Sequence, residues 1–211
     1  MAEKKQKKKP CYDGKEFDSY EEIQFWMWCK EAYNAGFISG VTFHPETFIL
    51  AEPARVYVRE QKNNKTEIKE KFLLHGVKYT ADFLININPS IQKFDHRLFS
   101  MDQSTVWIDV KPVYSKFNDL AKFSIIRKWL WETHGVFVNK VNIESFFQKT
   151  WVPLKVARQK NGKRREKYLH CRNVLQARAL TTYYPMPKVV PPPEQPKDLF
   201  ETQPENGWNI R

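Results

Sequence analysis

The six residues Val106-Trp107-Ile108-Asp109-Val110-Lys111 restrict the folds open to this chain more than any other stretch. Branched and aromatic residues favour a β-strand, in which residues two apart project from one face and the residue between them from the other. Asp109 and Lys111 therefore point into one space, with Val110 on the opposite face. Asp82 lies in a second apolar stretch, and a strand is predicted over residues 78–87. If the two strands are neighbours, both aspartates converge on one divalent cation, which takes hard oxygen ligands. Lys111 then stands beside the water bound to that cation.

The rest of the chain supplies helices around such strands. Ser19 reads as an N-cap with Glu22 in capping-box spacing, opening a helix that runs to about Gly36. A lone Ser-x-x-Glu needs no more than Glu22 bonding back to the Ser19 amide. Glu22, Trp26, Cys29 and Tyr33 nevertheless share one helical face, and packing of that stripe on a sheet brings Glu22 to the edge of the core. Short strands are expected at 41–43, 48–50 and 55–58, separated by Pro45 and Pro53, with a hairpin turn at 61–65. Residues 88–104 read as an insertion or long connection, and 105–114 as the strand holding Asp109 and Lys111. A helix over 119–134, ended by Gly135, can cross to a strand over 136–141. Trp26, Trp28, Trp129 and Trp131 read as packing residues of the two helices. Helix, strands, helix, strand is an α/β pattern with a mixed central sheet.

With 211 residues, 41% of them hydrophobic, and Phe 15 and Trp 7, the chain can bury a substantial core. No apolar run approaches the roughly 20 residues of a membrane span, and the lysine-rich start lacks the apolar stretch of a signal peptide. Cys11, Cys29 and Cys171 are odd in number and lack ligand spacing, so a reducing cytoplasm is expected, with neither a disulfide framework nor structural zinc. His44, His75, His96, His134 and His170 are scattered and read as surface or helix-end residues. Seven glycines and no phosphate loop argue against a nucleoside-triphosphate engine.

The net charge of +11 sits in two places. Five lysines fall within the first nine residues, in a tail over 1–10. Between positions 155 and 178, nine basic residues face Glu166 alone. A nearly neutral body with two basic attachments suits a binder of phosphate backbones, which gains affinity by releasing counterions. Lys155, Arg158, Lys160, Lys163, Arg164, Arg165, Lys167 and Arg172 are the candidate DNA contacts. Asn161-Gly162 between extended runs predicts a β-hairpin carrying them, followed by a helix over 173–180. Tyr168, Tyr183 and Tyr184 lie near enough to stack on bases, although packing explains them equally well. Residues 185–211 read as an extended proline-rich tail.

An acid in the first helix (Phe17-Asp18-Ser19-Tyr20-Glu21-Glu22), an Asp in a strand (Ala81-Asp82-Phe83), an acid-x-Lys strand (Asp109-Val110-Lys111), then a helix and a strand: over roughly residues 13–142 this order resembles the PD-(D/E)xK nuclease superfamily, and within it the small phage endonucleases. The resemblance implies a restriction-endonuclease-like αβββαβ core over 11–145, with the basic hairpin and helix over 146–184 as a DNA-binding extension. It implies Glu22, Asp82, Asp109 and Lys111 as catalytic residues. Glu22, Asp82, Asp109 and the Val110 carbonyl would bind Mg2+ or Mn2+, and the lysine would support the attacking water. Two departures stand out: Asp109 occupies a position where Glu is commoner, and the stretch from Asp82 to Asp109 is long. The family includes junction resolvases, so branched DNA is the expected substrate, and a homodimer would supply two sites for two strands. A non-catalytic DNA-binding or virion protein on the same fold, with its acids ion-paired, is the alternative.

Overall fold

A computed structural model describes residues 8–62, 65–88, 91–92, 98–100, 102, 104–112, 117–180 and 182–183. The expected lysine tail falls mostly outside these residues and the proline-rich tail wholly so, as do Tyr184 and the centre of the 61–65 turn. The described chain opens with a small hairpin, β1 (Cys11–Tyr12) and β2 (Lys15–Glu16), whose turn residues Asp13 and Gly14 both take positive φ. Asp-Gly suits such a turn.

Helix α1 (Tyr20–Asn34) starts at the Ser19 cap as expected. It ends where Gly36 adopts φ 78°, the Phe37 amide donating to the Ala32 carbonyl and the Gly36 amide to that of Tyr33. That is a Schellman motif, which needs a residue at ease with positive φ. The buried side of α1 carries Glu22, Ile23, Phe25, Trp28, Cys29 and Ala32. This corrects the expected stripe, because Tyr33 is exposed. Phe25 and Trp28 set the packing instead, with Trp28 stacked on Trp151 at 4.7 Å between centroids.

Strands β3 (Ile38–Phe43) and β4 (Thr47–Ala51) lead into a long ribbon, β5 (Ala54–Lys62) and β6 (Lys65–Leu74), whose strands, among the described residues, pair only with each other. The single strand predicted over 78–87 is two strands. β7 (Val77–Thr80) pairs antiparallel with β4, and β8 (Phe83–Ile87) pairs with β3. Asp82 sits at the break. After β9 (Ile91–Gln92) comes β10 (Thr105–Lys111), which ends before Pro112 rather than running to Tyr114. Helix α2 (Phe117–His134) leads through Gly135, at φ 64°, to β11 (Val138–Asn142), two residues later than the predicted start of that strand. The central sheet has the order β11-β10-β8-β3, with β10 and β11 parallel and the other neighbours antiparallel. It is a mixed sheet, as predicted.

One face of this sheet packs on α1 through Phe83, Ile85, Val106, Ile108 and Val110. The other carries Trp107 and Val138 against Phe123 and Leu130 of α2 and Phe48 and Leu50 of β4. Alternation along β10 therefore places Asp109 and Lys111 on the α2 face. The later residues share the α1-side core. Helices α3 (Ile143–Lys149) and α4 (Leu154–Ala157) contribute Phe146, Phe147, Val156 and Ala157, joined by Trp151 and Tyr168.

The predicted basic β-hairpin is replaced by a turn held by one bridge, between Arg158 and Arg164. Gly162 takes φ 81° as Asn-Gly demands, but the flanks are α4 and a 3-10 turn at Glu166–Tyr168, because Val156, Ala157 and Tyr168 are drawn into the core. Tyr168 is a packing residue, set edge-on to Phe147. Helix α5 (Val174–Ala179), capped by Asn173, and β12 (Thr182–Tyr183), paired with β9, close the described chain. Among the described residues no helix is long and apolar enough to cross a membrane.

Candidate active site

Pairing between β8 and β10 stops at Phe83 and Ile108. One residue further on, the strands part, and Asp82 lies at the opening. Its Oδ2 accepts from the Val110 amide at 2.6 Å, a bond that a continued β8 would have made with its backbone. N–H and C=O of one strand residue point to the same side, so the Val110 carbonyl faces the same opening. Asp82 Oδ1 has no hydrogen bond among the described residues.

Asp109, 2% exposed, is held from two directions. Tyr79 of β7 donates its hydroxyl to Oδ2 at 2.7 Å, and the Lys111 ammonium lies 2.5 Å from Oδ1. The Lys111 contact brings opposite charges together without the alignment of a hydrogen bond. The ammonium also stands 5.3 Å from the centre of the Phe123 ring on α2, within reach of a cation–π attraction.

The electrostatics follow from this crowding. Burial, and then repulsion from Asp109, pushes the Asp82 carboxyl up to about 8 from its ordinary 3.8, against the Val110 amide, which favours the charged form. Glu22 adds repulsion and Lys111 attraction. Burial and the neighbouring Asp109 hold Tyr79 firmly as the neutral phenol. Burial also raises the Glu22 carboxyl.

Glu22 is tied to its helix end. Its Oε2 accepts from the Asp18 amide at 3.0 Å and its Oε1 from the Ser19 hydroxyl at 2.9 Å, so the capping expectation holds with Asp18, rather than Ser19, as the amide donor. α1 packs on the face opposite the Asp109 side chain, and Glu22 reaches Asp82 only through the field the two carboxylates share. Among the described residues, three possible ligand atoms fall within 4.8 Å of one another at Asp18, Glu22 and His44. Lys9 already pairs with Asp18 at 2.6 Å, and both Asp18 and His44 are exposed. The structure thus brings Asp82, Val110, Asp109 and Lys111 into one opening, with Glu22 at its margin.

Two participants lay outside the predicted set. Tyr79 stands in the same Tyr-Thr-Ala-Asp segment as Asp82, but nothing local signals its bond to a residue thirty positions on. His44, at φ 47°, donates its amide to the Asp82 carbonyl at 2.9 Å and stacks on Phe43.

All of the predicted basic contacts are exposed. Lys155 donates to the Tyr12 hydroxyl, Arg164 to the Cys171 carbonyl, Arg165 to the Arg158 carbonyl, and Lys167 pairs with Glu144 at 2.7 Å. The charged ends of Arg158, Lys160, Lys163 and Arg172 have no such partner among the described residues.

The donor set suits a hard divalent cation: two carboxylates and a carbonyl that would meet it, with Asp82 carrying a repulsion that positive charge relieves. No family model, curated protein or solved structure matches the chain.

Proposed function

We propose that this protein is a metal-dependent DNA endonuclease of the PD-(D/E)xK type. The observation that carries the reading is the parting of β8 and β10 at Asp82, which gathers Asp82, the Val110 carbonyl, Asp109 and Lys111 at one opening of a mixed sheet. Further support comes from α1, β3, β8, β10, α2 and β11 running in the αβββαβ order that the sequence resemblance implies.

Asp82, Asp109 and the Val110 carbonyl would hold Mg2+ or Mn2+, with Glu22 acting from the margin. The ion supplies charge stabilisation and a more acidic bound water. Lys111, whose ammonium lies beside Asp109, would orient the attacking water or steady the charge that develops on the phosphate. Tyr79 keeps Asp109 aimed into the opening. Arg158, Lys160, Lys163 and Arg172, whose charged ends have no partner among the described residues, would grip the backbone without reading sequence, which suits a branched target defined by shape. A cytoplasmic protein, paired as a homodimer for two-strand cutting, fits this role.

The Lys111–Asp109 ion pair favours a second reading, a DNA-binding protein on a nuclease-like fold whose acids are retained for structure. One experiment separates the two: cleavage of labelled linear duplex, single strand, flap and four-way junction with Mg2+ or Mn2+, alongside Asp109→Ala and Lys111→Ala. Metal-dependent cutting lost in both variants supports the nuclease. Salt-sensitive binding without cutting, and without detectable Mn2+ binding, supports the alternative.

A further inference from the structure

We propose that a groove on α2 takes an unpaired nucleobase of the DNA next to the backbone gripped at the active site; the inference rests on the endonuclease reading for the identity of that neighbouring site. The groove, about 790 Å3, is lined by Phe99, Arg127, Lys128, Trp131, Glu132 and Phe137. It corrects the expectation that Trp131 packs inside, since that side chain is 41% exposed, and Phe99 beside it is 52% exposed.

The aromatic wall is preset. Asn139 of β11, itself buried, accepts from the Phe99 amide at 2.7 Å and donates to the Phe99 carbonyl at 2.8 Å, with a further contact to the Trp107 carbonyl. A whole buried amide is thus spent on fixing a residue whose ring is left in solvent. Phe99 meets Phe137 edge-on at 4.9 Å.

Charge decides the occupant. The Arg127 guanidinium lies 5.1 Å from the centre of the Phe137 ring, and Lys128 follows it on the rim. Aromatic faces with cations at their edge match a ligand that is itself a flat ring on an anionic backbone, because every base has a face to stack and its phosphate meets the cations. Glu132 can accept from an exocyclic amino group.

Position ties the groove to the site. Lys111 and Arg127 share the Phe123 ring, at 5.3 and 5.8 Å. Phe123, Arg127 and Trp131 follow one another at four-residue spacing along α2, which puts Trp131 about 12 Å beyond Phe123. A strand whose backbone lies at Lys111 therefore runs its neighbouring nucleotides toward the groove. Paired bases offer no free face, so the groove selects DNA with unpaired bases beside the cut.

The test is binding without metal, so that it stands apart from cutting. The full chain and Trp131→Ala are titrated in EDTA against labelled duplex, a flap, and the same flap with abasic residues in its unpaired arm, with circular dichroism to verify folding and Trp131→Phe as the conservative control. The expected result is about tenfold weaker flap binding by Trp131→Ala, with duplex binding unchanged. The abasic flap should bind the unaltered chain as weakly as the intact flap binds Trp131→Ala, and Trp131→Phe should retain most of the preference. Equal flap affinity for both chains, or equal affinity for intact and abasic flaps, overturns the proposal. So does a Trp131→Ala variant that loses self-association in sedimentation while keeping its flap-to-duplex ratio, which would make the groove a contact between copies. Failure of the nuclease reading shows separately, as absence of metal-dependent cutting by a protein that still prefers flaps.

Discussion

Replacing Asp82 by Asn should stabilise the metal-free protein, although it removes the central acid of the candidate site. The Asp82 carboxyl is pushed from 3.8 to about 8, first by burial and then by Asp109. At pH 7 the group is ionised in the unfolded chain and protonated in the folded one. That pH lies about three units above the unfolded carboxyl's value of 3.8, and at about 1.4 kcal/mol each these set a ceiling of about 4 kcal/mol on the destabilisation. Asn keeps an oxygen for the Val110 amide, 2.6 Å from Oδ2 in the parent, and carries no charge to bury. With relaxation around the site absorbing part of the effect, a gain of about 1–3 kcal/mol is expected, or roughly 3–10 °C in Tm for a chain of this size. Because the folded-state value is raised, the folded protein holds a proton that the unfolded chain has released, so parental stability falls as pH rises from about 4 to about 8 and levels off above. The advantage of Asp82→Asn should therefore grow between pH 5 and pH 8. Thermal unfolding in EDTA across that range measures it, and Mn2+ should then raise the Tm of the parent but not of the variant. A variant less stable than its parent at pH 8, or an advantage that does not widen with pH, would refute the electrostatic account of the site.

Ser19→Ala removes both the acceptor for the Glu22 amide and the hydroxyl on Glu22 Oε1, and should cost about 1 kcal/mol, seen as a Tm about 2–4 °C lower. Tyr79→Phe leaves Asp109 Oδ2 without its donor in a buried setting; denaturant titration in EDTA should show a loss of about 1–3 kcal/mol. Changing Arg158, Lys160 and Lys163 together to Gln should weaken binding to every DNA alike, and should reduce the slope of log affinity against log salt by about 3. An unchanged slope would move the backbone grip elsewhere on the surface.

What the sequence discloses here is whatever short spacing determines. Ser19 and Glu22 mark the start of α1 and Gly36 its end, because caps are decided within a few residues. Gly135 ends α2 for the same reason, and the alternation around Asp109 identifies β10 and its two faces. Asn161-Gly162 correctly marks a turn, but the residues beside it are claimed by a core assembled from α1, α3 and Trp151, which overrides their local tendency toward strand. The β5–β6 ribbon is legible in part: Val56-Tyr57-Val58 marks a strand and the polar run at 61–65 its turn, while the full length of both strands is hidden because polar residues dominate β6. Asn139 and Phe99 meet across forty positions through backbone atoms that no side-chain pattern announces.

The break at Asp82 was equally hidden, since Tyr-Thr-Ala-Asp-Phe contains neither Gly nor Pro and would serve an unbroken strand. What ends the strand is competition for hydrogen bonds. The Asp82 carboxyl takes the Val110 amide, which satisfies that donor of β10 without a partner strand on the β8 side, and β7 is left to pair with β4 on the α2 face. There it carries Tyr79 onto Asp109 and helps to bury that acid. One departure from regular pairing therefore supplies an open strand end, a carboxylate in it and a cover over the second acid. Restoring an unbroken strand would improve the sheet and remove the site, so a local defect in pairing is the feature on which the proposed chemistry depends.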